Sequence, residues 1–207
     1  MTKQKYGYIL LFISLTLILV FYPVLASSKT AKELKIEYVE ELLKVIHNKE
    51  TTFDPQLVIA SANEALRISQ EISYDRGIIK SYYTLSFGYF FMGDFKQSLY
   101  NASQIETVKD LSKHSYYITL MHQMKGVVYS NVGLNSLAEE ELLKGISTSK
   151  DIRREDYKHI INAQIYSALA KLYADYDDIS KKDTFNNYLN KADISVRSVS
   201  PNFEHVY

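Results

Sequence analysis

The chain has 207 residues, 46% of them hydrophobic and 13% aromatic, which is enough for one folded domain or a short repeat array and excludes disorder by composition. Only 7 Gly and 3 Pro are present, too few for the turn-rich composition of an all-β fold. The 24 basic and 24 acidic residues cancel, so the basic surplus of nucleic-acid binders is missing, and the lack of cysteine excludes disulfides and thiolate chemistry.

The N-terminal stretch has the pattern of a targeting segment. Two lysines precede an apolar run over residues 6–22, and Val24 and Ala26 occupy the small-residue positions that a signal peptidase reads. We expect residues 1–26 to be a signal peptide. The alternative is an uncleaved membrane anchor, because residues 6–25 form a stretch of 20, about the length that spans a bilayer. Either way the remaining chain is predicted to be extracytoplasmic, periplasmic or secreted, with membrane contact only through this segment.

Helical periodicity follows the targeting segment. Apolar residues recur at three- and four-residue spacing over residues 34–46, which places them on one face of a helix. Asp54 and Pro55 mark the start of a second helix, because Asp is a good N-cap and Pro suits the first helical position. We predict an all-α domain over residues 27–200, followed by a tail at 201–207.

Similar residues recur at a fixed spacing of 40. Gly93 lies 40 residues before Gly133, and Tyr89 lies 40 before Tyr129. The other pairs in this register are Ser86 with Gly126, Ile105 with Gly145, and Ala65 with Ile105. Five pairs in one register indicate an internal repeat. Gly93 and Gly133 are predicted to end helices, where the left-handed conformation is easiest for glycine.

One copy of this repeat has the residues of a known family. Its pattern is Tyr82, Leu85, Ser86, Tyr89, Gly93, Asp94, Phe95, Ser98 and Leu99. This pattern resembles a tetratricopeptide repeat. A second copy keeps Gly126, Tyr129, Gly133 and Ala138, and a third keeps Tyr166, Leu169, Ala170, Tyr173 and Ala192. The resemblance implies antiparallel helix pairs stacked as a right-handed superhelix, an α-solenoid of about four pairs after an N-terminal apolar helix.

The period of 40 exceeds the commonest period of the family, which is about 34 residues. We expect the surplus around residues 107–115 and 148–156, as longer helices or longer linkers between the pairs and with a more open superhelix. Repeats of this length resemble those of peptide-binding regulators and of the extracytoplasmic sensor regions of bacterial membrane-bound regulators. That resemblance implies a signalling role and a peptide or protein as the partner, with no nucleic acid bound.

The resemblance also implies a partner-binding groove, because the first helix of each pair lines the concave side in this family. The matching positions here predict Lys80, Tyr83, Phe87, Phe90, Gln123, Asn131 and Lys171 as site residues. The positions beside them are Phe91, Leu120, Val127, Ser130, Gln164, Ser167 and Asp175. The alternative for the three phenylalanines is packing against the N-terminal helix pair, since a short solenoid buries much of its own concavity.

No motif for catalysis, a metal or a cofactor is recognisable. The five histidines form no i, i+4 pair with a glutamate, and the glycines form no phosphate-binding loop. Asp175, Asp177 and Asp178 match only half of a calcium loop, and the acidic run 139–141 has the composition of an exposed helix face or a helix N-terminus. We expect a non-catalytic protein. The alternative is an enzyme or enzyme accessory that uses Lys80, Tyr83 and Lys171 on an anionic substrate.

The last predicted helix carries several large apolar residues. They are Phe185, Tyr188, Leu189 and Val196, and the polar outer face of a terminal solenoid cap is not evident among them. We expect that the chain belongs to a longer protein or that this helix docks onto another surface, self-association included.

Overall fold

The structure is a computed structural model that describes residues 29–44, 53–174, 179–201 and 203. The predicted targeting segment 1–26 lies outside these residues, as do the acidic run 175–178 and most of the tail 201–207.

The described residues form eight α-helices and no strand, which confirms the all-α prediction. The helices are α1 (Ala31–Leu42), α2 (Pro55–Glu71), α3 (Asp75–Phe91), α4 (Phe95–Gln104), α5 (Ser115–Asn131), α6 (Asn135–Ser149), α7 (Glu155–Leu172) and α8 (Ile179–Arg197). Two short 3-10 helices, Ile105–Thr107 and Leu111–His114, join α4 to α5. The first predicted location of the surplus, 107–115, therefore lies in this connection. At the second, 148–156, the link is only residues 150–154, and α6 has 15 residues where α4 has 10, so there the surplus lengthens a helix.

Helix starts follow the period of 40. Helices α2, α4 and α6 begin at residues 55, 95 and 135, and helices α3, α5 and α7 begin at residues 75, 115 and 155. Burial repeats as well, because residues 81–90 and 121–130 have the same order of buried and partly buried positions. Equivalent residues of successive pairs therefore occupy equivalent environments.

The N-cap and the glycine helix ends that the sequence predicts are confirmed. The Asp54 side chain caps α2 by accepting hydrogen bonds from the backbone N–H groups of Gln56 and Leu57. Gly93 and Gly133 follow α3 and α5 with φ angles of 78° and 79°, in the left-handed region that side chains with a β-carbon disfavour. The resulting turns of three residues make α3 antiparallel to α4, and α5 antiparallel to α6.

We expect Gly133→Val to lower the free energy of unfolding by about 1–2 kcal/mol, the cost of a left-handed backbone for a residue with a β-carbon. No atom lies within 4 Å of a β-carbon built at Gly133, so the cost comes from the backbone and not from a clash. Urea denaturation measures it, with Gly133→Asn as the matched control because Asn tolerates this conformation better. Equal losses for Val and Asn would contradict the assignment.

The helices pack mainly on their neighbours along the chain. The odd-numbered helices also contact one another, α1 with α3, α3 with α5, and α5 with α7. The buried side chains form three local clusters in chain order, the first shared by α1, α2 and α3, the second by α3, α4 and α5, and the third by α5, α6 and α7. The core is thus a series of local contacts between successive pairs.

Small residues set the separation of the paired helices. Ser86 and Ser98 are fully buried, and each hydroxyl donates a 2.8 Å hydrogen bond to the other residue's carbonyl oxygen. In the next pair, a β-carbon at Gly126 would lie 2.6 Å from Cγ of Leu142, inside van der Waals contact. The small residues at these positions therefore let the paired helices approach closely.

Candidate binding groove

An open groove lies along α3, α5 and α7, three of the helices that contact one another. Its volume is about 250 Å³. The lining residues are Tyr83, Phe87, Phe90 and Phe91 of α3, Gln123, Met124 and Val127 of α5, and Gln164 of α7. Four of the seven predicted site residues are therefore brought together here, namely Tyr83, Phe87, Phe90 and Gln123.

Met124 lines the groove but was not singled out from the sequence. It lies three residues before Val127, so the helical spacing of the lining positions on α5 could have indicated it. Most of the Met124 side chain is nevertheless buried. A residue that serves both the core and the groove is difficult to distinguish from a pure core residue by pattern alone.

Aromatic side chains form the apolar end of the groove. Phe53, Phe87, Phe90, Phe91 and Phe95, which we call the phenyl cluster, are linked by ring contacts. The ring centroids of Phe91 lie 4.9 Å from Phe53, 4.7 Å from Phe87 and 5.3 Å from Phe90. Such tilted and edge-to-face contacts are the favourable arrangements of aromatic pairs.

The predicted alternative, in which the phenylalanines pack against the N-terminal helix pair, applies to part of the phenyl cluster. Phe53 directly precedes α2 and contacts Phe87 and Phe91. Phe91 nevertheless remains 52% exposed, and Phe87 and Phe90 still line the groove. The N-terminal pair therefore covers one side of the cluster and leaves the other side open.

Polar groups lie beside the phenyl cluster. The side-chain amide of Gln123 donates a 3.0 Å hydrogen bond to the carbonyl oxygen of Gln164, which joins α5 to α7. The pair retains one carbonyl oxygen and further N–H groups for a ligand. Burial raises the pKa of the Tyr83 phenol to about 12, so this group stays protonated and can donate a hydrogen bond near neutral pH.

Three predicted site residues lie outside the groove lining. The Lys80 ammonium pairs with the Glu40 carboxylate of α1, which also accepts a 2.6 Å hydrogen bond from the Tyr74 hydroxyl. The Asn131 amide donates a 2.8 Å hydrogen bond to the carbonyl oxygen of Val127 in its own helix. Lys171 is exposed near the end of α7. The ammonium that an anionic substrate would need at Lys80 is thus already paired.

The acidic run 139–141 is not simply an exposed face, as its charge pattern had indicated. Glu141 is largely buried and its carboxylate lies 2.8 Å from Nδ1 of His122 in α5. Glu139 accepts a hydrogen bond from the hydroxyl of Tyr173, the C-cap of α7, and Glu140 is exposed as predicted. Two of the three acids therefore join α6 to its neighbours, because helix packing places a polar partner opposite each of them.

The described part of α8 has apolar side chains in solvent. Leu189, Ile194 and Val196 are all exposed, while Ala192 faces the interior. Docking of this helix onto another surface stays a prediction.

Within the described ranges, no group of three or more His, Asp or Glu residues is arranged to hold a metal ion. None of the described helices has both the length and the hydrophobicity that crossing a bilayer requires. No protein-family model, curated protein or solved structure matches this chain at a significant level.

Proposed function

We propose that this protein is an exported, non-catalytic helical-repeat scaffold that binds a peptide or protein partner in the groove along α3, α5 and α7. The observation that carries the proposal is the open groove itself, which combines exposed aromatic rings with amide groups that have spare hydrogen-bonding capacity. Aromatic side chains with a few placed polar groups are the usual composition of recognition sites.

A tetratricopeptide-like superhelix is the architecture that we propose for the scaffold. Its support is the period of 40 in the helix starts, the contacts among odd-numbered helices, and the division of the core into local clusters. Local cores of this kind are typical of repeat proteins, in which each unit contacts mainly its neighbours. In such a superhelix the odd-numbered helices would form the concave side.

Export is proposed from the targeting pattern of residues 1–26. The resemblance to sensor regions of bacterial membrane-bound regulators extends the proposal. The groove would then be the ligand-sensing surface of a signalling protein outside the cytoplasm.

Capture from an envelope extract of the source organism tests the proposed function, with the full chain as bait. We expect a partner that the wild-type chain retains and that Phe91→Ser reduces by at least about tenfold, the size of effect expected for an interfacial aromatic anchor. The matched control is Tyr100→Ser, because Tyr100 is 58% exposed on α4 and lies outside the groove. Equal retention by both variants, or equal loss from both, would contradict the proposal.

A further inference from the structure

We infer that the apolar end of the groove is a subsite for one uncharged aromatic side chain of the bound segment, whose backbone amide is held by Gln123 and Gln164. This inference rests on the proposed function and specifies the chemistry of the partner. It depends on three properties of the groove, namely the absence of charge among the described lining residues, the geometry of the rings and the position of the amides.

The part of the groove lining that the structure describes is uncharged. Its eight residues are four aromatic residues, one Met, one Val and two Gln, and neither Lys80 nor Lys171 belongs to it. A charged side chain that entered would lose hydration without gaining an opposite charge, which costs free energy. The lining therefore selects against acidic and basic side chains and favours apolar ones.

The ring geometry favours an aromatic side chain over an aliphatic one. Phe91 makes tilted or edge-to-face contacts with three other rings, and its exposed part leaves room for one more ring. Aromatic pairs in these arrangements gain free energy beyond the burial of apolar area. We expect a preference of about two- to tenfold for an aromatic over an aliphatic side chain of similar size.

The glutamine pair lies where it can hold the backbone beside that side chain. After the hydrogen bond between them, Gln123 and Gln164 offer one free carbonyl oxygen and free N–H groups, in either orientation of the two amides. A peptide unit presents one N–H donor and one C=O acceptor, so it can form one hydrogen bond with each glutamine. The subsite would thus recognise an aromatic residue within an extended peptide, and not only an aromatic ring without peptide groups.

Methionine-methyl NMR tests the inference on the full chain in lipid nanodiscs. The chain contains four methionines and no tryptophan, so both the protein signals and an indole probe are simple to assign. Met124 lines the groove, whereas Met121 is buried in the core and serves as the internal control. The probe is N-acetyl-L-tryptophan amide, a neutral aromatic residue with both peptide groups.

We expect a saturable shift of the Met124 methyl signal, with the Met121 signal unchanged. The amides of N-acetyl-L-lysine and N-acetyl-L-glutamate should cause no such shift at the same concentration. Phe91→Ser should raise the dissociation constant at least about fivefold, and Tyr100→Ser should leave it unchanged. Gln123→Leu should weaken binding of the amide probe but not of 3-methylindole, which has no peptide group.

The absence of a saturable Met124 shift, or equal shifts with the charged probes, would overturn the inference. Equal weakening of both indoles by Gln123→Leu would overturn the backbone contact. The two proposals fail separately. A partner that depends on Phe91 but is not displaced by the tryptophan amide would leave the proposed function standing without this subsite. A saturable Met124 shift, with no Phe91-dependent partner found in the envelope extract, would support the subsite and contradict the proposed function.

Discussion

Leu142→Ala should lower the free energy of unfolding by about 2–5 kcal/mol, the range for removing a fully buried leucine side chain from a packed core. Leu142 has no exposed surface and packs against Gly126 of α5. It also belongs to the buried cluster that α7 completes with Ile165. Loss of the Leu142 side chain would leave a cavity. The α5 and α6 backbones are already close together at Gly126, so they cannot easily move to close it.

Leu143→Ala is the matched control for this substitution. Leu143 is the next residue of α6 and is 44% exposed, so its truncation should change the free energy of unfolding by less than about 0.5 kcal/mol. Urea denaturation followed by circular dichroism measures both variants. Comparable losses of unfolding free energy for Leu142→Ala and Leu143→Ala would show that Leu142 does not lie on the buried face of α6.

Glu40→Gln should lower the free energy of unfolding at neutral pH by about 1–3 kcal/mol, because the amide keeps only one acceptor oxygen for two partly buried donors and carries no charge. The Glu40 carboxylate accepts hydrogen bonds from Lys80 and Tyr74, and the Lys80 side chain is only 16% exposed. A neutral amide has no charge to offset the ammonium. Helix α1 would thereby lose its ion pair with α3.

The Glu40 contribution should also depend on pH. Burial disfavours the ionised carboxylate, but the hydrogen bonds from Lys80 and Tyr74 outweigh it, so the pKa lies below its ordinary value of 4.5. A pKa that is lower in the folded than in the unfolded state stabilises the fold above the unfolded value, and this stabilisation is lost as the pH falls through the folded value. The difference between wild type and Glu40→Gln should therefore shrink below about pH 4.5.

Urea denaturation across pH 3–7 measures this dependence. Glu41→Gln is the matched control, because Glu41 is the next residue of α1 and is largely exposed beside Lys44. Exposed ion pairs of this kind contribute little, so Glu41→Gln should stay close to wild type at every pH. A constant difference between wild type and Glu40→Gln over this range would contradict the ionised pair with Lys80.

The groove positions of α3 and α5 could be predicted from the sequence, whereas the pairing that takes Lys80 out of the groove could not. Tyr83, Phe87 and Phe90 recur at helical spacing on α3, so their common face follows from local geometry. Lys80 lies on the same helix, but its ammonium turns to Glu40, a residue 40 positions earlier in the chain. No local pattern indicates that a long, flexible side chain will meet an acid on another helix.

The all-α class, the period of 40 and the helix ends at Asp54, Gly93 and Gly133 were determined by the sequence alone. These features depend on residues within a few positions of one another, through helical spacing, capping and backbone conformation. Only the tertiary structure decided that Phe53 covers one side of the phenyl cluster and that Glu141 meets His122. Those contacts join residues distant in the chain, and they depend on which helices pack together and how closely the small residues let them approach.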